Sequence, residues 1–239
     1  EQLVILMAGQ SNMLGAGKDA EIPEWQNSIP DNITYYSFGM PRYADALKDF
    51  FGPELRLSHV LAEQHPDKKF IIIKYAVAGS SLFDWSTDYS KETAEITGSS
   101  NLGSLYSKFL FTARLLTLSK KTRIAALLWM QGERDARFPE AADAYYRNFK
   151  QFIQDVRSDL TRPLLPVIFG KINPPPSAYP EVATVQSAQE QIAHELFNVH
   201  MIDTEDLSKL QDNLHYDTLG QLELGQRFAD RLADYIPDE

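Results

Sequence analysis

Apolar residues in this chain come in short, nearly unbroken runs separated by longer stretches in which they recur every three or four positions. The runs "LVILM" (3–7), "FIIIKYA" (70–76), "IAALLWM" (124–130) and "LPVIFGK" (165–171) predict strands covered on both faces. "NVHMID" (198–203) predicts a fifth strand, and "ITYYSF" (33–38) is a candidate edge strand. The intervening stretches carry apolar stripes at helical spacing. Leu57, Val60 and Leu61 share a face around 54–64, and Leu105, Phe109, Thr112 and Leu116 share one around 104–118. Ala142, Tyr146, Phe149, Ile153 and Val156 do so around 140–158, and Leu222, Ala229, Leu232 and Ile236 line the last helix, with Thr218 and Gln221 as a capping box at its start. "NPPPS" (173–177) cannot lie inside a helix or a central strand and is a loop.

Strand and helix alternate throughout, which predicts a three-layer α/β fold with a mainly parallel, five-stranded sheet. The 239 residues, 44% of them hydrophobic, suffice for one core, and no linker or repeat divides them, so 1–239 reads as a single domain. Ligands of such folds bind beyond the carboxyl ends of the strands. The segments to inspect are therefore 9–15, 78–85, 131–135, 172–179 and 203–217.

Ser11, in "MAGQSNMLG" (7–15), follows the first strand directly. Serine here could cap a helix; it could also be a nucleophile, which needs an adjacent base. The surroundings, Gly9-Gln10-Ser11-Asn12-Met13, are not the G-x-S-x-G elbow of α/β-hydrolases. Near the other end, "DNLHYD" (212–217) places Asp212 three residues before His215 on a strand-end loop. An imidazole there can face a serine while the carboxylate holds its other nitrogen. His59 and His194 fall on helical stretches, His65 precedes a proline and His200 lies in a strand, so a structural role is the default for each. Gly79, in "YAVAGSSLFDW", can bring a backbone N–H close to an oxyanion, and Gln131, in "WMQGERDA", offers a side-chain amide in the same region. Glu133 could pair with the histidine, position Arg134 or simply be solvated. Trp85, Tyr89, Tyr179 and Tyr43 lie on loops and are candidates for stacking on sugar rings or for packing against the sheet.

The stretches "AGQSNM", "GPEL", "KYAVAGSSL", "WMQGERDA" and "DNLHYDTLGQLELGQRFA" run from residue 8 to residue 229. Through them the chain resembles SGNH-type hydrolases, in the carbohydrate-esterase branch that includes sialate O-acetylesterase-like proteins and family 6 acetylxylan esterases. The resemblance implies a flavodoxin-like α/β/α sandwich and deacetylation with neither cofactor nor metal. It implies Ser11 as nucleophile, His215 as base and Asp212 as its orienting acid, with Ser11 N–H, Gly79 N–H and the Gln131 amide around the oxyanion. Members of the branch often carry Gly-Gly where this chain has Ala78-Gly79. Glu133 is implied as a second group assisting His215, and Trp85, Arg134 and Tyr179 are candidate substrate contacts.

Charge narrows the partner. A net charge of −10 disfavours nucleic acid and anionic membranes and suits a neutral acetylated carbohydrate, although a pocket arginine such as Arg134 could reverse this for sialic acid. The absence of cysteine excludes disulfides and a thiol nucleophile. The chain begins with Glu1 and enters a strand at once, from which we expect a removed leader and a secreted or periplasmic location. Two other readings compete with the esterase. "DTEDL" (203–207) with Asp212 and His215 could gather a hard metal for phosphoester hydrolysis, and the chain could be a sugar-binding module without catalysis.

Overall fold

The computed structural model describes residues 2–38, 49–117 and 121–237. Six strands form one sheet: β1 (Gln2–Gly9), β3 (Ile33–Phe38), β5 (Phe70–Ala76), β6 (Thr122–Met130), β7 (Val167–Gly170) and β8 (Val199–Ile202). Their order is β3-β5-β1-β6-β7-β8, and every pairing is parallel. The five expected strands are present. "ITYYSF" pairs along β5 as a sixth, at the edge, where its partly exposed residues are tolerated. A separate antiparallel ribbon joins β2 (Gly17–Lys18) to β4 (Phe50–Phe51).

The helices are α1 (Ser11–Leu14), α2 (Glu54–Gln64), α3 (Lys91–Glu95), α4 (Leu105–Thr117), α5 (Pro139–Asp159), α6 (Val182–Glu195) and α7 (Thr218–Leu232). α2 packs with α7, α5 packs with α6, and Tyr106 of α4 meets Phe152 of α5 edge-on. The central strands β1, β5, β6 and β7 bury nearly every residue on both faces, which is why they read as unbroken apolar runs. The capping box expected at Thr218 is displaced by one residue. Asp217 is the cap and accepts the Gly220 N–H at 2.9 Å, while Thr218 donates to Glu21 and accepts from Lys18 N. The buried stripe of α7 runs through Leu224, Phe228, Ala229 and Leu232, with Leu222 only half-buried.

The topology singles out the end of β1. Strands β3 and β5 lie on one side of it and β6, β7 and β8 on the other, so the connections diverge there. Gly9 closes the strand at φ +144°, and a Cβ on it would sit 2.0 Å from the Met130 carbonyl oxygen. Only glycine lets the ends of β1 and β6 approach this closely, and Gln10 N then donates to Met130 O at 2.9 Å.

Among the described residues, one charged side chain is buried inside a central strand. Lys74 of β5 is buried, and its ammonium pairs with Glu54 at 2.7 Å and donates to the Leu14 carbonyl at the end of α1 at 2.8 Å. Glu54 in turn accepts the Gly52 N–H at 3.0 Å. Burial lowers the Lys74 pKa against the opposing pull of Glu54. Lys74→Met strands the Glu54 carboxylate in the core and is expected to destabilise the protein by about 3–5 kcal/mol, read by urea unfolding. Lys74→Met with Glu54→Leu removes both charges and should recover most of that loss.

Candidate functional site

Ser11 opens α1 directly beyond β1, held by the hydrogen bonds of Met13 N and Leu14 N to Gln10 O, at 3.0 and 2.9 Å. Some 200 residues later a tight loop brings its partners. Lys209 and Tyr216 form an antiparallel bridge, Leu210 N donates to His215 O at 2.8 Å, and Asn213 takes a left-handed backbone at φ 54°. Asparagine is among the few residues that accept that conformation easily. The loop is thereby folded back on itself, with Asp212 beneath His215.

The Ser11 Oγ to His215 Nε2 distance is 3.1 Å, and His215 Nδ1 lies 2.6 Å from Asp212 Oδ2. A carboxylate can only accept, so Nδ1 carries the proton and Nε2 is left to accept from the Ser11 hydroxyl. Asp212 Oδ1 also accepts the backbone N–H groups of Leu214 and His215, at 2.9 and 3.0 Å. Partial burial pushes the Asp212 carboxyl up, but the hydrogen bonds from the His215 ring and these two N–H groups outweigh it and hold the carboxyl below the usual range. The arrangement can pass a proton from a serine oxygen to an imidazole whose far side is fixed by a negative charge. The side chains of His215 and Asp212 remain 30% and 46% exposed, so the constellation opens at the surface.

Gly79 follows β5 at φ +70° with open space where a Cβ would stand. Among the described residues, neither its N–H nor that of Ser11 is paired with an acceptor. Both are free backbone donors at the same rim, where Val77 N donates to Gly9 O at 2.9 Å and ties the two strand ends together.

Gln131 departs from expectation. Its side chain is fully buried, and its amide nitrogen faces Asp135 Oδ2 at 2.6 Å, Ser80 O at 3.1 Å and Gln10 Oε1 at 3.3 Å. Two hydrogens facing three internal acceptors leave none for an oxyanion. The residue braces the turn after Gly79 from below. Asp135 does the same by accepting the Leu82 N–H. Asp84, nearby, accepts from Ser81 N at 2.8 Å and Ser99 Oγ at 3.0 Å. Burial raises the Asp135 carboxyl to about 7, helped by the charge of Asp84, and raises Asp84 to about 6. Both folded values lie above the unfolded ones, so this pair favours folding most at acid pH. Its contribution declines as pH rises through about 7. The melting temperature of Asp135→Asn, measured against wild type from pH 4 to 8, should therefore decline less steeply, keeping only the share that belongs to Asp84.

The candidate sugar contacts divide. Trp85 is not on the rim. After Gly79 the chain turns inward through Asp84 N to Ser81 O and Trp85 N to Leu82 O, and the indole is fully buried. It packs edge-on to Trp129 at 5.1 Å and to Phe109 and Phe152, and donates to Ser80 Oγ at 3.0 Å. The apolar face and the single donor of indole are both satisfied in the core. Arg134 turns onto the Thr97 carbonyl and lies 5.3 Å over the Phe138 ring, and Tyr89 donates to Ser100 O at 3.0 Å. Tyr179 stays close to the site: Arg137 lies 5.5 Å over its ring. Burial raises its hydroxyl pKa, and Glu133 and Asp212 add to the rise. Tyr43 lies outside the described residues. The acids of 203–207 do not converge: Asp206 pairs with Arg227 at 2.7 Å and Asp203 accepts Glu205 N at 3.0 Å. Among the described residues, no three His, Asp or Glu side chains gather as a metal site.

Glu133 is buried and meets Asn12, not His215: its Oε1 accepts from Asn12 Nδ2 at 2.8 Å. Burial raises its pKa over the opposing effects of Asn12, His215 and Lys209. Asn12 is the residue that motif reading passed over. Its one signal was a second amide-bearing neighbour of Ser11, in "QSN".

The sheet order and flanking helices are those of the SGNH-type hydrolase fold, with a serine–imidazole–carboxylate line at the switch point. A family model described as carbohydrate esterase, sialic acid-specific acetylesterase matches residues 1–234, and the chain belongs to this family. A probable carbohydrate esterase of Arabidopsis thaliana, At4g34215, is 36% identical over 106 residues, 44% of this chain and 39% of that protein. The crystal structure of that plant protein superposes with a TM-score of 0.77 at 22% identity, covering 98% of this chain and 99% of the other. A carbohydrate acetylesterase of Xanthomonas citri, XAC1771, superposes with a TM-score of 0.72 at 17% identity, covering 95% of this chain and 55% of the other.

Proposed function

We propose that this chain is a serine esterase that removes O-acetyl groups from carbohydrate through an acetyl-enzyme. The observation that carries the reading is the unbroken line from Ser11 Oγ to His215 at 3.1 Å and on to Asp212 at 2.6 Å, assembled from distant segments. Ser11 Oγ attacks the acetyl carbonyl carbon while its proton passes to His215 Nε2. The tetrahedral oxyanion is met by the N–H groups of Ser11 and Gly79. Collapse expels the sugar hydroxyl, which takes the proton from Nε2. A water then repeats the sequence on the acetyl-enzyme and releases acetate.

An open rim suits an acetyl group presented on a polysaccharide, and the net charge of −10 suits a neutral xylan-type chain. Sialate would need a cation for its carboxylate. Arg134 is directed at Thr97 O, Lys209 at Asn173 O and Arg137 at the Tyr179 ring, so each of these cations already has a partner within the protein. The test is acetate release from acetylated xylan, acetylated monosaccharides and O-acetyl sialic acid. Turnover is expected on the first two. Turnover on the sialate alone would reverse the substrate assignment, and none on any of the three would overturn the esterase reading.

A further inference from the structure

Asn12 is 1% exposed and follows the nucleophile of the reading above. Its Nδ2 donates to Glu133 Oε1 at 2.8 Å and to the Leu214 carbonyl at 3.2 Å, and its Oδ1 accepts from Tyr216 N at 3.1 Å. Leu214 and Tyr216 are the two residues on either side of His215. One carboxamide therefore grips the backbone before and after the imidazole-bearing residue, and it hangs from the residue next to the serine. Its backbone carbonyl is held as well, by Gln221 Nε2 at 3.4 Å. The other neighbour of Ser11 does the same for the loop after β6: Gln10 Oε1 accepts from Gly132 N at 3.3 Å and Arg134 N at 3.2 Å.

The chemistry at Asn12 requires two donors and one acceptor in a plane, which among small side chains only a carboxamide supplies. Glu133 supplies the second acceptor of that amide and, from the loop after β6, fixes where the amide sits. Without it one hydrogen of the buried amide has no acceptor and only the Leu214 and Tyr216 contacts hold the side chain in place.

We propose that Asn12 is the positioning residue that sets His215 against Ser11, and that Glu133 serves the reaction by holding the Asn12 amide, not by acting on the imidazole. The proposal rests on the esterase reading, and it differs from direct assistance in what it predicts. A carboxylate acting on the imidazolium works through its charge, so Glu133→Gln and Glu133→Ala would be equally damaging. A carboxylate holding an amide works through its oxygen, and Gln keeps one.

The experiment measures kcat and KM on nitrophenyl acetate, the rate of Ser11 labelling by a fluorophosphonate, and hydrogen exchange at the Tyr216 amide, with a melt for every variant. Asn12→Ala is expected to lower kcat and the labelling rate by about 10²-fold, as a small misplacement of reacting groups does, with KM little changed and Tyr216 exchange accelerated. Glu133→Ala should lower kcat by about tenfold, Glu133→Gln should restore most of that loss, and Glu133→Ala should add nothing further in the Asn12→Ala background. Equal losses for the two Glu133 variants, or independent losses from Asn12 and Glu133, would overturn the proposal. So would an unchanged kcat in folded Asn12→Ala. If Asn12→Ala melts below the assay temperature, the Gln and Ala variants of Glu133 decide alone. A wild-type protein that the fluorophosphonate leaves unlabelled would sink the esterase reading itself. Normal labelling in both wild type and Asn12→Ala would sink only this inference.

Discussion

Ser11→Ala is expected to lower acetate release by about 10⁴–10⁶-fold while the protein stays folded. Among the described residues the half-buried hydroxyl makes one hydrogen bond, to His215 Nε2. Alanine also suits the first position of a helix, so the stability change should stay within roughly 0.5 kcal/mol. What remains is whatever the two backbone donors and substrate binding achieve with water. In the proposed mechanism the serine and the imidazole act as one unit, so Ser11→Ala/His215→Ala should be no slower than Ser11→Ala alone. Folded Ser11→Ala that keeps a tenth or more of wild-type turnover would mean that another group attacks the ester.

The fold was legible where one constraint dominates. Burial on both faces demands apolar residues at every position, so β1, β5, β6 and β7 stood out, while β3 at the edge, with exposed Thr34, Ser37 and Phe38, gave a weaker pattern. Asp212 and His215 were legible because a three-residue spacing on one loop is a local matter. Gln131 and Trp85 were placed on the correct segments, but the direction of each side chain depends on groups distant in sequence. Gln131 is drawn to Asp135 and Ser80, and Trp85 into a cluster with Trp129, Phe109 and Phe152. Lys74 shows the same limit: nothing in "FIIIKYA" announces that its partner is the glutamate of "GPEL". Asn12 was hidden because asparagine after serine also suits a helix start, and its work is done some 200 residues away, on either side of His215.

Asp212→Asn is the sharper test of how the imidazole is oriented, and about a 10⁴-fold loss of kcat is expected from it. Oδ1 of Asp212 faces two backbone donors, Leu214 N and His215 N, and Oδ2 faces the ring. An asparagine must keep its oxygen toward the two N–H groups, because its NH₂ there would oppose donors with donors. The NH₂ is then turned on His215 Nδ1, which can meet it only as an acceptor. The ring proton is driven to Nε2, and Nε2 can no longer take the proton of Ser11. The backbone thus dictates the tautomer, and raising the pH cannot restore it. In the wild type the lowered Asp212 pKa keeps the orienting charge in place above that pKa, and it is lost only as the pH falls through it. The pH–rate profile and the fluorophosphonate labelling rate of Asp212→Asn read this directly. Both should stay depressed from pH 6 to 9, whereas recovery toward wild type at high pH would show that the carboxylate contributes charge alone and does not set the tautomer.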